Sequence, residues 1–207
     1  MAQLYAANVF RTRAAAEYQT SGEASARLAV ALDGTNALAH SWLSNALFLH
    51  GDLSGALAAA NRALALSPNL ASAYWRKGAA LIFSGQPQEG LRNAQTSLRL
   101  DPRGPDLAHR LTYIAIGCYY SRAYKAAAEA AKHTISSFRE FPLPYRWLAA
   151  ALGQLGLEED AKKALEQAIT VAPASFDLFV RGRPPWFRQE DHDHMMEGLR
   201  KAGWREA

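Results

Sequence analysis

Six histidines and one cysteine are the scarce reactive side chains of this 207-residue chain. Two of the histidines, His192 and His194, stand beside Glu190, Asp191 and Asp193, a set of types able to ligate a divalent cation. On a helix, however, residues two apart face different directions, and convergence on one ion would need an extended segment. The acidic residues suit the first turn of a helix, where the dipole favours negative charge, and Glu158-Glu159-Asp160 reads the same way. Arg181-Gly182-Arg183-Pro184 matches the core of an arm that enters the A·T minor groove. A single copy without flanking lysines reads equally as a linker stiffened by Pro184 and Pro185, and nucleic acid is not the expected partner. Cys118 excludes an intramolecular disulfide and a cysteine-cluster zinc site, and its apolar surroundings predict an inert thiol. No nucleophile elbow, phosphate loop, dinucleotide fingerprint or zinc-protease signature occurs. The expectation is a chain without catalysis, metal or cofactor.

The elements that carry these residues follow from composition. With 49% hydrophobic and 20% charged residues the chain is a folding sequence, and no apolar run reaches the roughly 20 residues a bilayer span needs. Met1 to Arg11 lacks the basic start, apolar centre and small-residue cleavage site of a secretory signal, which predicts the cytoplasm. Alanine makes up roughly a fifth of the chain, and it favours helix because it loses no side-chain entropy there. An all-α protein is expected.

The apolar pattern repeats every 34 residues: Leu32, Leu66 and Leu100; Leu47 and Leu81; Gly51 and Gly85; Leu64 and Leu98; Pro68 and Pro102. After a three-residue insertion, Pro105-Asp106-Leu107, the period resumes with Leu111 and Tyr145, Ile114 and Leu148, Ala127 and Ala161, and Ile135 and Ile169. Gly51 and Gly85 suit the left-handed turn that ends a first helix, and Pro68, Pro102 and Pro173 stop a second one.

The 34-residue period, with Leu43, Leu47, Gly51-Asp52-Leu53, Ala56, Ala63 and Pro68, resembles the tetratricopeptide repeat (TPR) family. The aromatic that the family pattern wants has become Ala60. The resemblance implies a right-handed α-solenoid of antiparallel helix hairpins, with repeats at 37–70, 71–104, 108–141 and 142–175. Residues 1–36 read as a degenerate N-terminal hairpin whose second helix starts at a capping box, Thr20-Ser21-Gly22-Glu23. Residues 176–207 read as a C-terminal cap: Phe179, Trp186 and Phe187 fold over the last repeat, and Met195, Leu199 and Ala202 form one face of a final helix closed by Gly203. The Met195-to-Gly203 ending also resembles the C-terminal region of bacterial class III adenylate/guanylate cyclase-like proteins and winged-helix regulators. The chain itself has no strand-rich segment to hold a cyclase domain.

The resemblance further implies that fixed positions of each first helix line a concave groove. Carried onto this sequence they are Asn45 and Phe48, then Trp75, Arg76 and Phe83, then His109, Thr112, Tyr113, Tyr119 and Tyr120, and finally Arg146. Aromatic residues and arginine are the common anchors of protein interfaces, so the groove is expected to bind a segment of a partner protein. Residues 71–141 carry five basic against two acidic and five against three in their two halves, a net of +5. That balance favours an acidic segment, with Arg76, Arg110 and Arg146 as contacts. The set that grips a C-terminal carboxylate in some TPR domains is incomplete, because Ser41 stands where a lysine is required. The alternative is a regulatory module that forms a homodimer through an uncapped end.

Overall fold

The computed structural model describes residues 13–205, which form eleven helices and no strand among the described residues. A first helix, α1 (Arg13–Leu32), precedes four hairpins: α2 (Ala37–Leu49) with α3 (Leu53–Leu66), α4 (Ala71–Phe83) with α5 (Pro87–Leu100), α6 (Leu107–Tyr120) with α7 (Tyr124–Ser137), and α8 (Leu143–Gln154) with α9 (Glu158–Val171). A short α10 (Pro173–Val180) and a last helix, α11 (Gln189–Lys201), complete the fold. Each first helix packs on its partner and on the next first helix, so α2, α4, α6 and α8 line the inner curve of a helical solenoid.

One backbone device turns every hairpin. A 6→1 hydrogen bond closes the first helix in each: Asp52 N–H to Leu47 at 3.0 Å, Gln86 to Leu81 at 2.9 Å, Ala123 to Cys118 at 2.9 Å and Leu157 to Leu152 at 3.1 Å. The residue before each donor takes positive φ, +84° at Gly51 and +82° at Gly85, as the sequence expects. The third hairpin puts Arg122 in that slot at φ 62°, a conformation that costs a residue with a Cβ about 1 kcal/mol. Asp52 also caps α3, accepting from Gly55 N–H at 2.8 Å.

Between the helices the contacts are small. Ala56, Ala60, Ala63, Ala94, Ala115, Ala127, Ala131 and Ala161 are fully buried, which lets backbones approach where larger side chains would hold them apart. One expectation fails at the N-terminal end. Thr20-Ser21-Gly22-Glu23 starts no helix, because α1 runs through it without interruption. Residues 1–12, where the partner of that helix would lie, fall outside the described residues.

Arg110, expected to contact an acidic segment, is instead turned into the chain. Its guanidinium, 2% exposed, donates to the backbone carbonyls of Ser97 and Asp101 and pairs with the Asp101 carboxylate at 3.3 Å. It ties the α5–α6 loop down, and its guanidinium is engaged within the chain.

Candidate functional site

The inner curve divides into an upper part, made by the N-terminal halves of α2, α4, α6 and α8, and a lower part made by their C-terminal ends. In the upper part Trp75 stacks against His109 at 6.4 Å and meets Tyr113 at 5.6 Å. His109 in turn abuts Phe141 at 4.7 Å, and burial pushes its imidazole below its ordinary pKa. Arg76 donates to Ser41 Oγ at 2.7 Å and lies over the Trp42 ring at 4.2 Å. Trp42 is half exposed, and Asn45 lines a small recess with Phe48, Trp75, Arg76 and Ala79. Trp42 is absent from the sequence-derived groove, although it precedes Arg76 by one 34-residue period and shares its register.

Arg146 completes the upper part. Its guanidinium is buried, 4% exposed, 4.0 Å over the Phe179 ring and 5.5 Å from that of Trp147. Its Nε has no hydrogen-bond partner, and none of the ion pairs among the described residues includes it. Desolvation lowers its pKa to about 9, against the opposing influence of Tyr120 and Tyr113. A buried cation lying over ring faces, with no carboxylate paired to it among the described residues, is a feature that an anion could complement.

The lower part is covered by the chain's own C-terminal segment. From the end of α10 the backbone runs across the inner curve to the first hairpin, where Trp186 meets Phe48 at 5.4 Å and the Pro185 carbonyl lies against Gly51. Phe187 enters a ring cluster made by Phe83 at 4.7 Å, Phe179 at 6.2 Å and Trp147 at 6.4 Å. The Arg188 guanidinium lies against Gly85 and pairs with Asp191 at 2.7 Å. α11 then returns over α6 and α8: Tyr119 donates to the His194 carbonyl at 2.8 Å and Tyr120 to that of Asp191 at 3.4 Å.

Four residues expected to face an open groove therefore lie beneath this segment: Phe48, Phe83, Tyr119 and Tyr120. Thr112 points elsewhere again, fully buried and donating to the Ala108 carbonyl of its own helix at 2.8 Å. Asn45, Trp75, Arg76, His109, Tyr113 and Arg146 remain together in the upper part. The cap expected over the last repeat reaches past it to the first, a placement that no local signal in residues 181–188 specifies.

The other residues with possible chemistry are also placed. His192 Nε2 meets the Phe179 carbonyl at 3.0 Å, whereas His194 Nδ1 lies 3.0 Å from Arg122 Nη1, so the two imidazoles serve different neighbours. Arg183 donates to the Phe187 carbonyl, and Arg181 pairs with Asp177 at 3.3 Å. Burial raises the pKa of the Cys118 thiol. Among the described residues no group of three or more His, Cys, Asp and Glu side chains comes together, and no helix is long and apolar enough to cross a membrane.

Comparison with known proteins matches this geometry. Two hairpins fit family models of the tetratricopeptide repeat, over residues 37–70 and 145–175. No curated protein matches the chain. Among solved structures, a thermophilic TPR protein of Thermus thermophilus superposes with a TM-score of 0.65 at 18% identity, covering 83% of this chain and 92% of its own. A tetratricopeptide repeat protein from Parabacteroides merdae gives 0.62 at 13% identity, covering 89% and 78%. YrrB, described as a TPR protein with an unusual peptide-binding site, gives 0.57 at 18% identity, covering 86% and 90%. At these identities the likeness is one of fold.

Proposed function

We propose that this chain, a solenoid of tetratricopeptide-type hairpins, is a non-catalytic protein-interaction module that holds a segment of a partner protein against the upper part of its inner curve. The observation that carries this reading is Arg146. Sequestering a guanidinium costs several kcal/mol unless an anion and good hydrogen bonds compensate it, and the buried Nε of Arg146 has no acceptor. A carboxylate on the partner segment would supply both. Trp42 and Asn45 offer adjoining surface that is still accessible, and Trp75, His109 and Tyr113 form its aromatic floor.

A photocrosslinking amino acid at Asn45, on the inner curve, compared with one at exposed Arg92 on the outer helix α5, tests the location. A partner captured from position 45 and not from 92 is expected. Capture from 92 alone, or equally from both, refutes it.

A second reading, self-association as a regulatory module related to the cyclase-like and winged-helix proteins, has one observation in its favour. Leu28 and Leu32, on α1 beside the first hairpin, are 59% and 79% exposed. Light scattering decides it: a concentration-dependent dimer abolished by Leu28→Glu with Leu32→Glu supports this alternative, and a monomer at all concentrations rejects it.

A further inference from the structure

The stretch Arg183-Pro184-Pro185-Trp186-Phe187-Arg188 has two properties that set it apart from the rest of the core. It is a single layer, with Pro184, Trp186 and Phe187 turned inward and Arg183 and Pro185 exposed. One backbone hydrogen bond also closes a turn inside it, from Phe187 N–H to the Pro184 carbonyl at 3.0 Å; the Phe187 carbonyl accepts from the Arg183 side chain, and the Arg188 carbonyl accepts from His192 N–H of α11 at 3.1 Å. The basic group at its end, Arg188, is paired with Glu190 and Asp191 in the first turn of α11.

Its aromatic contacts with the repeats are made by two ring side chains, flanked by the Pro185 carbonyl against Gly51 and the Arg188 guanidinium against Gly85. Trp186 sits against Phe48 of α2 and Phe187 among Phe83, Trp147 and Phe179. Pro185, at the second position of the Pro184–Phe187 turn, pre-sets its backbone, so the turn loses little conformational freedom on docking, and aromatic pockets select it by shape. These are the properties of a bound peptide.

We infer that the lower part of the inner curve is a binding site for a turn-forming Pro-Pro-aromatic-aromatic-basic segment, filled in this structure by residues 183–188 of the same chain, and that a partner carrying such a segment exchanges with it. The inference rests on the reading that the inner curve is the interaction face, and it adds the chemistry of the partner to that reading. α11 stays docked during the exchange, because Met195, Leu199 and Ala202 are buried against α8 and the Gly153–Gly198 crossing holds the two helices at backbone contact.

The test uses the full chain and a fluorescent synthetic peptide of the sequence Arg181 to Glu190. The full-length Trp186→Ala variant, with one anchor removed, is expected to bind the peptide at least tenfold more tightly than wild type. The same peptide with both aromatic residues replaced by alanine is expected to bind neither protein. Equal binding by the two proteins, or binding by neither, overturns the inference. Should Trp186→Ala fail to fold, amide exchange in the wild-type chain decides: Trp186, Phe187 and Arg188 are expected to exchange roughly a hundredfold faster than Leu148 to Leu152 of α8, and equal rates mean that the segment is permanent core. A partner captured from position 45 while residues 186–188 stay protected would sink the exchange and leave the interaction reading standing. Peptide exchange without any captured partner would support the site and count against that reading alone.

Discussion

Gly153→Ala is the sharpest test of how the C-terminal segment docks. A methyl group built on Gly153 lands on the Gly198 carbonyl, 3.0 Å from Ala202 N and 3.2 Å from the Gly198 carbonyl carbon. All three are backbone atoms of the α11 region, so no side chain can move aside. Relief requires α11 to shift bodily by about 1 Å, since carbon contacts settle near 3.5–4.0 Å. Overpacking of this kind costs about 1–3 kcal/mol, and backbone against backbone belongs at the upper end. The shift also strains the Tyr119 hydrogen bond to His194, worth about 1 kcal/mol. Against this, alanine gains about 1 kcal/mol over glycine inside a helix. The net is a loss of about 2–3 kcal/mol, or a melting temperature lower by roughly 4–12 °C for a chain of this size. Gly22→Ala is the internal control: nothing lies within 4 Å of its added methyl group, and it should raise the melting temperature through propensity alone. Thermal unfolding followed by circular dichroism measures both. If Gly153→Ala melts at or above wild type while Gly22→Ala behaves as expected, the close crossing of α8 and α11 is wrong.

Three further outcomes follow from the buried cations and imidazoles. Arg110→Met should destabilise by about 2–3 kcal/mol in thermal melts, because it strips the Ser97 and Asp101 carbonyls of their donor, and a change below about 0.5 kcal/mol would contradict that role. Arg146→Met should leave stability unchanged or raised, since an apolar replacement removes an unpaired buried charge, and should weaken binding of an acidic partner segment more than tenfold; clear destabilisation with unchanged binding would make Arg146 structural. Acid should loosen the C-terminal segment between about pH 7 and 5. Burial lowers the pKa of His192, which faces Arg183, Arg146, Asp193 and the Phe179 carbonyl, and of His194, which faces Arg122, Glu197, Asp191, Tyr124 and Gln154. Below their ordinary value the unfolded chain therefore binds protons that the folded chain does not, and stability falls with pH. Asp33, Asp52 and Glu197 have lowered pKa values and lose their contribution only in more acidic solution, which leaves this window to the imidazoles. Melting temperatures at pH 7 and pH 5 should differ less for His192→Asn with His194→Gln than for wild type, and equal slopes would refute the assignment.

How legible these features are depends on how local their causes are. The hairpins are written in residues that act on their own neighbourhood: Gly51 and Gly85 adopt positive φ, and the 6→1 bond from Asp52 to Leu47 recurs in every hairpin. The same bond closes α11, from Trp204 N–H to Leu199 at 2.9 Å, after Gly203 at φ 100°. Thr20–Glu23 shows the limit of such reasoning. A capping box acts only where the preceding residue leaves the helix, and here α1 continues through it with one glycine and no proline to interrupt. The groove is less legible. Its register carries Asn45, Trp75 and Arg76 to the inner curve, yet the contact between Trp186 and Phe48 joins residues more than a hundred positions apart. Residues 183–188 occur once and obey no period, so nothing in the repeat pattern says where they go.

That contact changes what kind of solenoid this is. In an open array each hairpin touches only its neighbours, and ends can fray independently of the middle. Here one segment touches Phe48 in the first hairpin, Phe83 in the second and Trp147 in the fourth, while α11 holds Tyr119 and Tyr120 of the third. All four hairpins share one strap, so bending that opens the inner curve must first loosen Trp186 or Phe187 from its ring pocket. The curvature of the array and the occupancy of its lower inner face are therefore one variable. A partner that replaced the strap would alter the spacing of α2, α4, α6 and α8 in the upper part, where Arg146 and Trp42 lie, and coupling between the two halves of the face follows from that shared geometry.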